Sequence, residues 1–341
     1  MHDLRDAKRS LKKRIPWRAL GIAASLVVIA AAFVVLYRML QDIELREVVA
    51  ALKSNEPYEL VLAGVFVAIA YFTLTFYDYF ALRTIGRGEV PYRTAALASF
   101  TSYSIGHNVG FSVVSGGTVR YRVYSASGLS GIEVAKICFI AGLTFWLGNL
   151  AVLGLGATFD PVAANAIDRL PLSLNRGIGI AILVALTGYV IWVSMAPRHF
   201  GRDNWTVMLP GGKLTFLQIL IGIVDLACAT AAMYVLMPDR PNIDFFSLMV
   251  IFVSATLLGF ASNSPGGLGV FDAAMLLAMP QFMRGDLVGA LLLFRLYYYI
   301  VPFALALAII GIRELLIDIP WVSAKLHPPN KVRTGREKPK S

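Results

Sequence analysis

Two aspartates, a cluster of arginines and two glycine-rich breaks stand inside apolar sequence, where charge and glycine are both costly. Asp78 lies in TFYDYF, 38 residues before Gly116-Gly117; Asp225 lies in GIVDLA, 41 residues before Gly266-Gly267. A charge near the middle of a membrane span costs roughly 2.5–3.5 kcal/mol on insertion scales, so each acid is expected to face a bundle interior and to bind something there. TVRYRVY sets Arg120 and Arg122 just beyond the first glycines, and the planar guanidinium suits phosphate. The second stretch, SNSPGGLGVFD, adds Ser262, Asn263 and Ser264 as donors beside a proline suited to a helix start. A half-helix beginning there would present free N–H groups and a positive dipole end to an anion. Carboxylates on spans with arginines and glycine N–H groups at breaks suit a zwitterion, or a lipid with phosphate and amine.

Each feature also has a plainer reading. Asp78 stands among Phe76, Tyr77, Tyr79 and Phe80, which fits an interfacial aromatic belt with a snorkelling acid. The glycines fit close helix packing in a tight hairpin. His107 and Asn108 fit structural donors. Glu133 and Lys136, three apart, fit a pair on one helix face. Arg295, followed by Tyr297, Tyr298 and Tyr299, either snorkels or answers a buried acid, and Asp272 fits a cap on its own helix.

The elements that must hold these residues are membrane helices. Of 341 residues 57% are apolar and 15% charged, more apolar than a soluble core of this length needs. Runs at 19–37, 58–82, 137–157, 177–196, 214–237 and 287–312 reach or approach the roughly 20 residues that cross a hydrocarbon core. The first is read as a retained helix rather than a cleaved signal. The net charge of +10 gathers at the ends, in RDAKRSLKKRIPWR and KLHPPNKVRTGREKPK. Those flanks are read as positive-inside signals, with no role for nucleic acid. Cys138 and Cys228 fall within spans without metal-ligand spacing; no metal or cofactor is expected.

Loop charges place both termini in the cytoplasm. The stretches 94–118 and 245–279 then fit as re-entrant helical hairpins, with turns expected within 105–118 and 262–270. The expected fold is an all-α polytopic membrane protein of about six full spans plus two re-entrant hairpins. A basic tail (1–18), a transmembrane domain (19–317) and a second basic tail (318–341) make up the chain. Its halves, about 19–157 and 177–312, repeat span, span, hairpin, span in inverted orientation. Paired interrupted segments in inverted halves are the sequence pointer to a transport site near the midplane.

SYSIGHNVGFSVVSGGTVRYRVY (102–124), FYDYFALR (76–83) and SPGGLGVFD (264–272) resemble the membrane region of the lysylphosphatidylglycerol synthetase/flippase family, the multiple peptide resistance factors. The resemblance covers about 19–317. It implies a flippase that moves aminoacylated phosphatidylglycerol from the inner to the outer leaflet of the bacterial cytoplasmic membrane, lowering surface negative charge and giving resistance to cationic peptides. Family acids match Asp78 and Asp225; the glycine motif often ends in glutamate where this chain has Asp272. Bifunctional relatives continue into a cytosolic aminoacyl transferase domain, whereas this chain stops about 24 residues beyond Ile317, so no enzyme activity is expected of it. Asp78 and Asp225 would take the amines, and Arg120, Arg122 and the glycine turns the phosphate.

Three other readings remain. They are transport of another phospholipid or glycolipid, a non-transporting partner of a separate lipid aminoacyl transferase, and a membrane-embedded transferase. The last lacks a nucleophile elbow, nucleotide loop or zinc motif. The oligomeric state stays open, a homodimer included.

Overall fold

A computed structural model describes residues 55–202 and 205–317, with short runs and single positions between 27 and 53. The basic tails and most of the first expected span, 19–37, lie outside the described residues. The chain is an all-α membrane protein: among the described residues, five helical stretches are long and apolar enough to cross a membrane. They are α1 (Pro57–Thr84), α4 (Gly131–Phe159), α6 (Leu172–Met195), α7 (Gly212–Leu236) and the final stretch Arg284–Arg313. At 28 residues, α1 rises about 42 Å, ample for a hydrocarbon core.

Between these helices lie two helical hairpins. The first joins α2 (Tyr92–Val109) to α3 (Ser112–Ser125) through Gly110 and Phe111. The second joins α8 (Phe245–Ala261), through a 3₁₀ turn at Pro265–Gly267, to α9 (Val270–Ala278). Nine-residue α9 rises only about 14 Å, half a hydrocarbon core. A short helix α5 (Pro161–Asp168) follows α4, and a two-stranded ribbon, β1 (His199–Arg202) with β2 (Trp205–Met208), links α6 to α7. The last stretch is α10 (Arg284–Phe294), a π turn (Arg295–Ile300) and α11 (Val301–Ile317).

Side-chain pairs give the directions. Gln218 Nε2 donates to Thr144 Oγ1 at 2.7 Å, and one turn further Gly222 meets Gly148. Both partners advance together, so α4 and α7 run parallel. Gly154 lies against Ile182 and Leu183, and Gly179 against Thr158, so α6 runs back along α4. Arg87, after α1, donates to Glu133 at the start of α4, and Ser247 at the start of α8 donates to Asp160 at the end of α4. The first hairpin therefore enters the bundle from one end and the second from the opposite end. Their tips meet: a Cβ on Gly110 would lie 3.0 Å from the Asn263 carbonyl oxygen.

Local chemistry sets the boundaries. Ser130 caps α4 in a capping box with Glu133, whose carboxylate accepts from the Ser130 N–H at 2.8 Å. Glu133 is thus held by its cap and by Arg87, not by Lys136 as spacing suggested. Arg87 also reaches Glu89 at 3.1 Å. The Glu89 backbone N–H and then Arg87 hold that carboxyl below its ordinary range, though so exposed a pair adds little stability.

In lipid, helices associate through van der Waals packing and close approach of small residues. At the α4–α7 crossing, a Cβ on Gly222 would sit 2.7 Å from the Gly148 Cα. Gly222→Leu is therefore expected to destabilise the bundle by the roughly 1–3 kcal/mol typical of overpacking, read as a lower thermal unfolding temperature in detergent. Gly188→Leu, with nothing within 4 Å of its added Cβ, is the matched control. Equal melting of the two variants would mean that the crossing does not hold the bundle.

Candidate functional site

The hairpin tips close around a cavity of about 180 Å³ whose wall includes Asp225, Arg120, His107, Tyr103, Phe145, Phe252, Tyr298 and Tyr299. Both breaks hold their polar backbone internally, as a helix interrupted within a membrane must. In the first, Gly110 has φ 80 and Phe111 φ 46. Ser112 and Ser115 hydroxyls donate to the orphan carbonyls of Gly106 and Gly110, each at 3.0 Å. In the second, Gly266 and Gly267 adopt φ 62 and 63, a left-handed conformation that glycine takes without the cost of a Cβ. Ser262 Oγ donates to the Gly259 carbonyl at 2.7 Å and Ser264 Oγ to that of Leu268 at 3.1 Å.

The structure redistributes the expected roles. The first turn is at Gly110-Phe111, not at Gly116-Gly117. Those two lie inside α3, where Gly116 packs on Ser102, whose hydroxyl donates to its carbonyl at 3.0 Å. Asp78 is fully buried and does not face the cavity. Its carboxylate accepts from Arg120 Nε at 3.0 Å and Nη2 at 2.9 Å, and from the Tyr124 hydroxyl at 2.8 Å. Asp78 is thus neutralised within the first half rather than open to an amine, and much of Arg120 is committed in return. Arg120 also lies over the Tyr103 ring, 4.7 Å from its centroid. Arg122, half-buried on the same helix, does not line the cavity.

The phosphate cradle expected at Gly266-Gly267 is largely spent. The N–H groups of Gly267 and Leu268 bond to the Ser264 and Pro265 carbonyls. The Gly269 N–H at the start of α9 donates to Asp272 Oδ2 at 3.0 Å. Asp272 thus occupies the anion position of its own helix, as a cap, and Arg295 answers it through Nε at 3.0 Å and through Nη2. Arg295 opens the π turn, whose Tyr298 and Tyr299 carbonyls accept from Tyr71 at 3.0 Å and Asn108 at 3.3 Å. Asn108 is thereby a structural donor. Asn263, Ser264, Gly266 and Gly267 line the cavity, while Ser262 stays in the turn.

Asp225 stands apart. It is 5% exposed, accepts a hydrogen bond from the Tyr77 hydroxyl at 3.2 Å with the Thr73 side chain also beside it, and has no cation partner among the described residues. Its second oxygen, Oδ1, has no hydrogen-bond partner. The two halves differ here for a reason visible in the chain: α3 carries Arg120, whereas GGLGVFDAAMLLA (266–278) carries no basic residue. The first acid is closed by an ion pair; the second is left open to the cavity. Sequence reasoning missed the tyrosines around it, although Tyr77 adjoins Asp78 in TFYDYF and Tyr298 lies in the YYY run.

A bundle of membrane helices with two opposed hairpins meeting at an internal cavity defines a multi-pass membrane protein with a central polar site. The chain belongs to the family of membrane proteins that includes slr0712 of Synechocystis, with 32% identity over 258 residues, 75% of this chain and 80% of that one. It is also 28% identical over 295 residues to the inner membrane protein YbhN of Escherichia coli, across 85% of this chain and 91% of YbhN. A 24% identity over 279 residues links 80% of the chain to 32% of the phosphatidylglycerol lysyltransferase of Staphylococcus aureus. The chain thus spans about a third of that enzyme's length. No family model matches.

Proposed function

We propose that this protein is a lipid translocator. In this reading its cavity takes the ammonium headgroup of an aminoacylated phosphatidylglycerol, lysyl or alanyl, and passes it from the inner to the outer leaflet of a bacterial inner membrane. Both basic tails face the cytoplasm. The observation that carries the reading is Asp225: a buried carboxyl with one unpartnered oxygen, at the meeting point of two hairpins that enter from opposite ends. Aromatic rings beside it, Tyr103, Tyr298 and Phe252 among them, supply faces that attract an ammonium. Arg120 lies on the same wall but is committed to Asp78, so it belongs to the scaffold of the cavity rather than to the phosphate. A larger apolar recess of about 800 Å³, lined by Phe72, Phe100, Val301 and Leu305 among others, gives acyl chains a place on the lipid-facing side. The likeness to a lysyltransferase's sequence supports a lipid with this headgroup.

The test is translocation in proteoliposomes with a panel of lipids: lysyl-, alanyl- and unmodified phosphatidylglycerol, phosphatidylethanolamine and a neutral glycolipid. Lysyl-phosphatidylglycerol is expected to flip at least tenfold faster than the unmodified lipid. Faster movement of the glycolipid would transfer the reading to that lipid, and movement of none would leave a non-transporting partner of a lipid-modifying enzyme.

A further inference from the structure

We infer that Asp225 is a proton-exchange site, so that outward passage of a cationic lipid is coupled to inward movement of a proton. The inference rests on the headgroup reading above and adds the driving force. It starts from a geometric fact: the Asp225 carboxyl lies in the cavity wall, nearly buried, with Oδ1 unpartnered.

The groups that face it are phenols, an imidazole, a thiol and one arginine that is already paired. From α1 come the phenols of Tyr77, bonded at 3.2 Å, and Tyr71. From α2 come Tyr103 and the imidazole of His107, and from the π turn Tyr298. Arg120 on α3 is held by Asp78, and Cys228 is the titratable neighbour on α7 itself. Around the cavity α4 contributes Phe145 and Trp146, and α8 contributes Phe252 and Thr256. The one permanent cation among them, Arg120, is already paired with the corresponding acid of the first half, Asp78.

An uncompensated carboxylate is expensive in such surroundings. Two inexpensive states remain, the acid with its O–H bond formed and the carboxylate paired with an incoming ammonium. They exclude one another. When the headgroup arrives, the carboxyl O–H breaks, the proton leaves to water in the cavity, and the electron pair on oxygen accepts from the ammonium. When the headgroup leaves on the outer side, a proton from that side re-forms the O–H bond. Site charge is the same in both states. Exclusive occupancy makes the coupling reciprocal: protons weaken lipid binding as lipid weakens proton binding.

The test uses the full chain in proteoliposomes with lysyl-phosphatidylglycerol as probe and a pH dye trapped inside, with binding of a short-chain form followed separately. Lowering the pH from 8 to 5 should weaken binding about 10- to 100-fold, since each proton in competition costs up to tenfold per pH unit. Lipid movement should be accompanied by proton movement in the opposite direction. Asp225→Asn should lose both the pH dependence and the dye signal, and His107→Gln should keep the pH dependence. Binding and flipping that ignore pH, with a silent dye, would overturn proton exchange while leaving the headgroup reading intact. No binding at any pH would overturn both. Loss of pH dependence in His107→Gln with its retention in Asp225→Asn would move the exchange to the histidine and end the inference.

Discussion

Asp225→Asn is expected to lower translocation of lysyl-phosphatidylglycerol about 10- to 150-fold, while the protein keeps its membrane abundance and thermal stability. The first half of that result follows from losing a charge-assisted hydrogen bond, worth about 1.5–3 kcal/mol, where the proposed reading holds the cationic headgroup. The second half follows because asparagine matches the aspartic acid in size and leaves no buried charge where no cation pairs with it among the described residues. Asparagine keeps an acceptor for the Tyr77 hydroxyl, which donates to the aspartate at 3.2 Å. Outer-leaflet exposure of labelled lipid, at equal protein per vesicle, is the measurement. A well-expressed Asp225→Asn protein that flips at the wild-type rate would reduce this residue to packing.

The first-half acid behaves in the opposite way. Arg120→Ala strands the Asp78 carboxylate at zero exposure with only the Tyr124 hydroxyl beside it. Breaking a buried pair from one side costs about 3–5 kcal/mol, a large part of the total stability of a folded chain. Arg120→Ala is therefore expected to fall sharply in extracted yield and to melt well below wild type. Replacing both partners, Asp78→Leu with Arg120→Met, removes the stranded charge and should restore most of the yield. The pair of results separates scaffold from ligand-binding group. If Arg120→Ala melts like wild type and loses only transport, the arginine serves the lipid and the ion pair is incidental. If the double variant is as unstable as the single one, the pair contributes through geometry that apolar side chains cannot replace.

Much of the architecture was legible in the chain itself. The run 58–82 is realised as Pro57–Thr84, 214–237 as Gly212–Leu236, and 177–196 as Leu172–Met195. A span must present about 20 apolar residues to lipid, and that constraint is local. The two hairpins were legible for the same reason, because glycine, proline and serine within apolar sequence mark backbone that must be satisfied by protein. Asp225 was legible as a candidate from its placement alone, a carboxyl in the middle of an otherwise apolar helix.

What sequence left open is which charges meet. Asp78 and Asp225 look alike in the chain, yet one is closed by Arg120, 42 residues away, and the other is not. Asp272 and Arg295 likewise find each other across 23 residues, although Arg295 Nη1 keeps no hydrogen-bond partner. The glycines of hairpin one pack a helix face, while Gly110 and Phe111 make the turn. Each outcome depends on α3 folding back along α2 and on two tips, entering from opposite ends, touching near Gly110 and Asn263. In lipid no water competes for a charge or a carbonyl, so each polar group takes whichever partner the packing brings within reach. Local sequence sets which residues need partners; only the tertiary approach of the two halves chooses them, and among the described residues it gives Asp225 the Tyr77 hydroxyl but no cation.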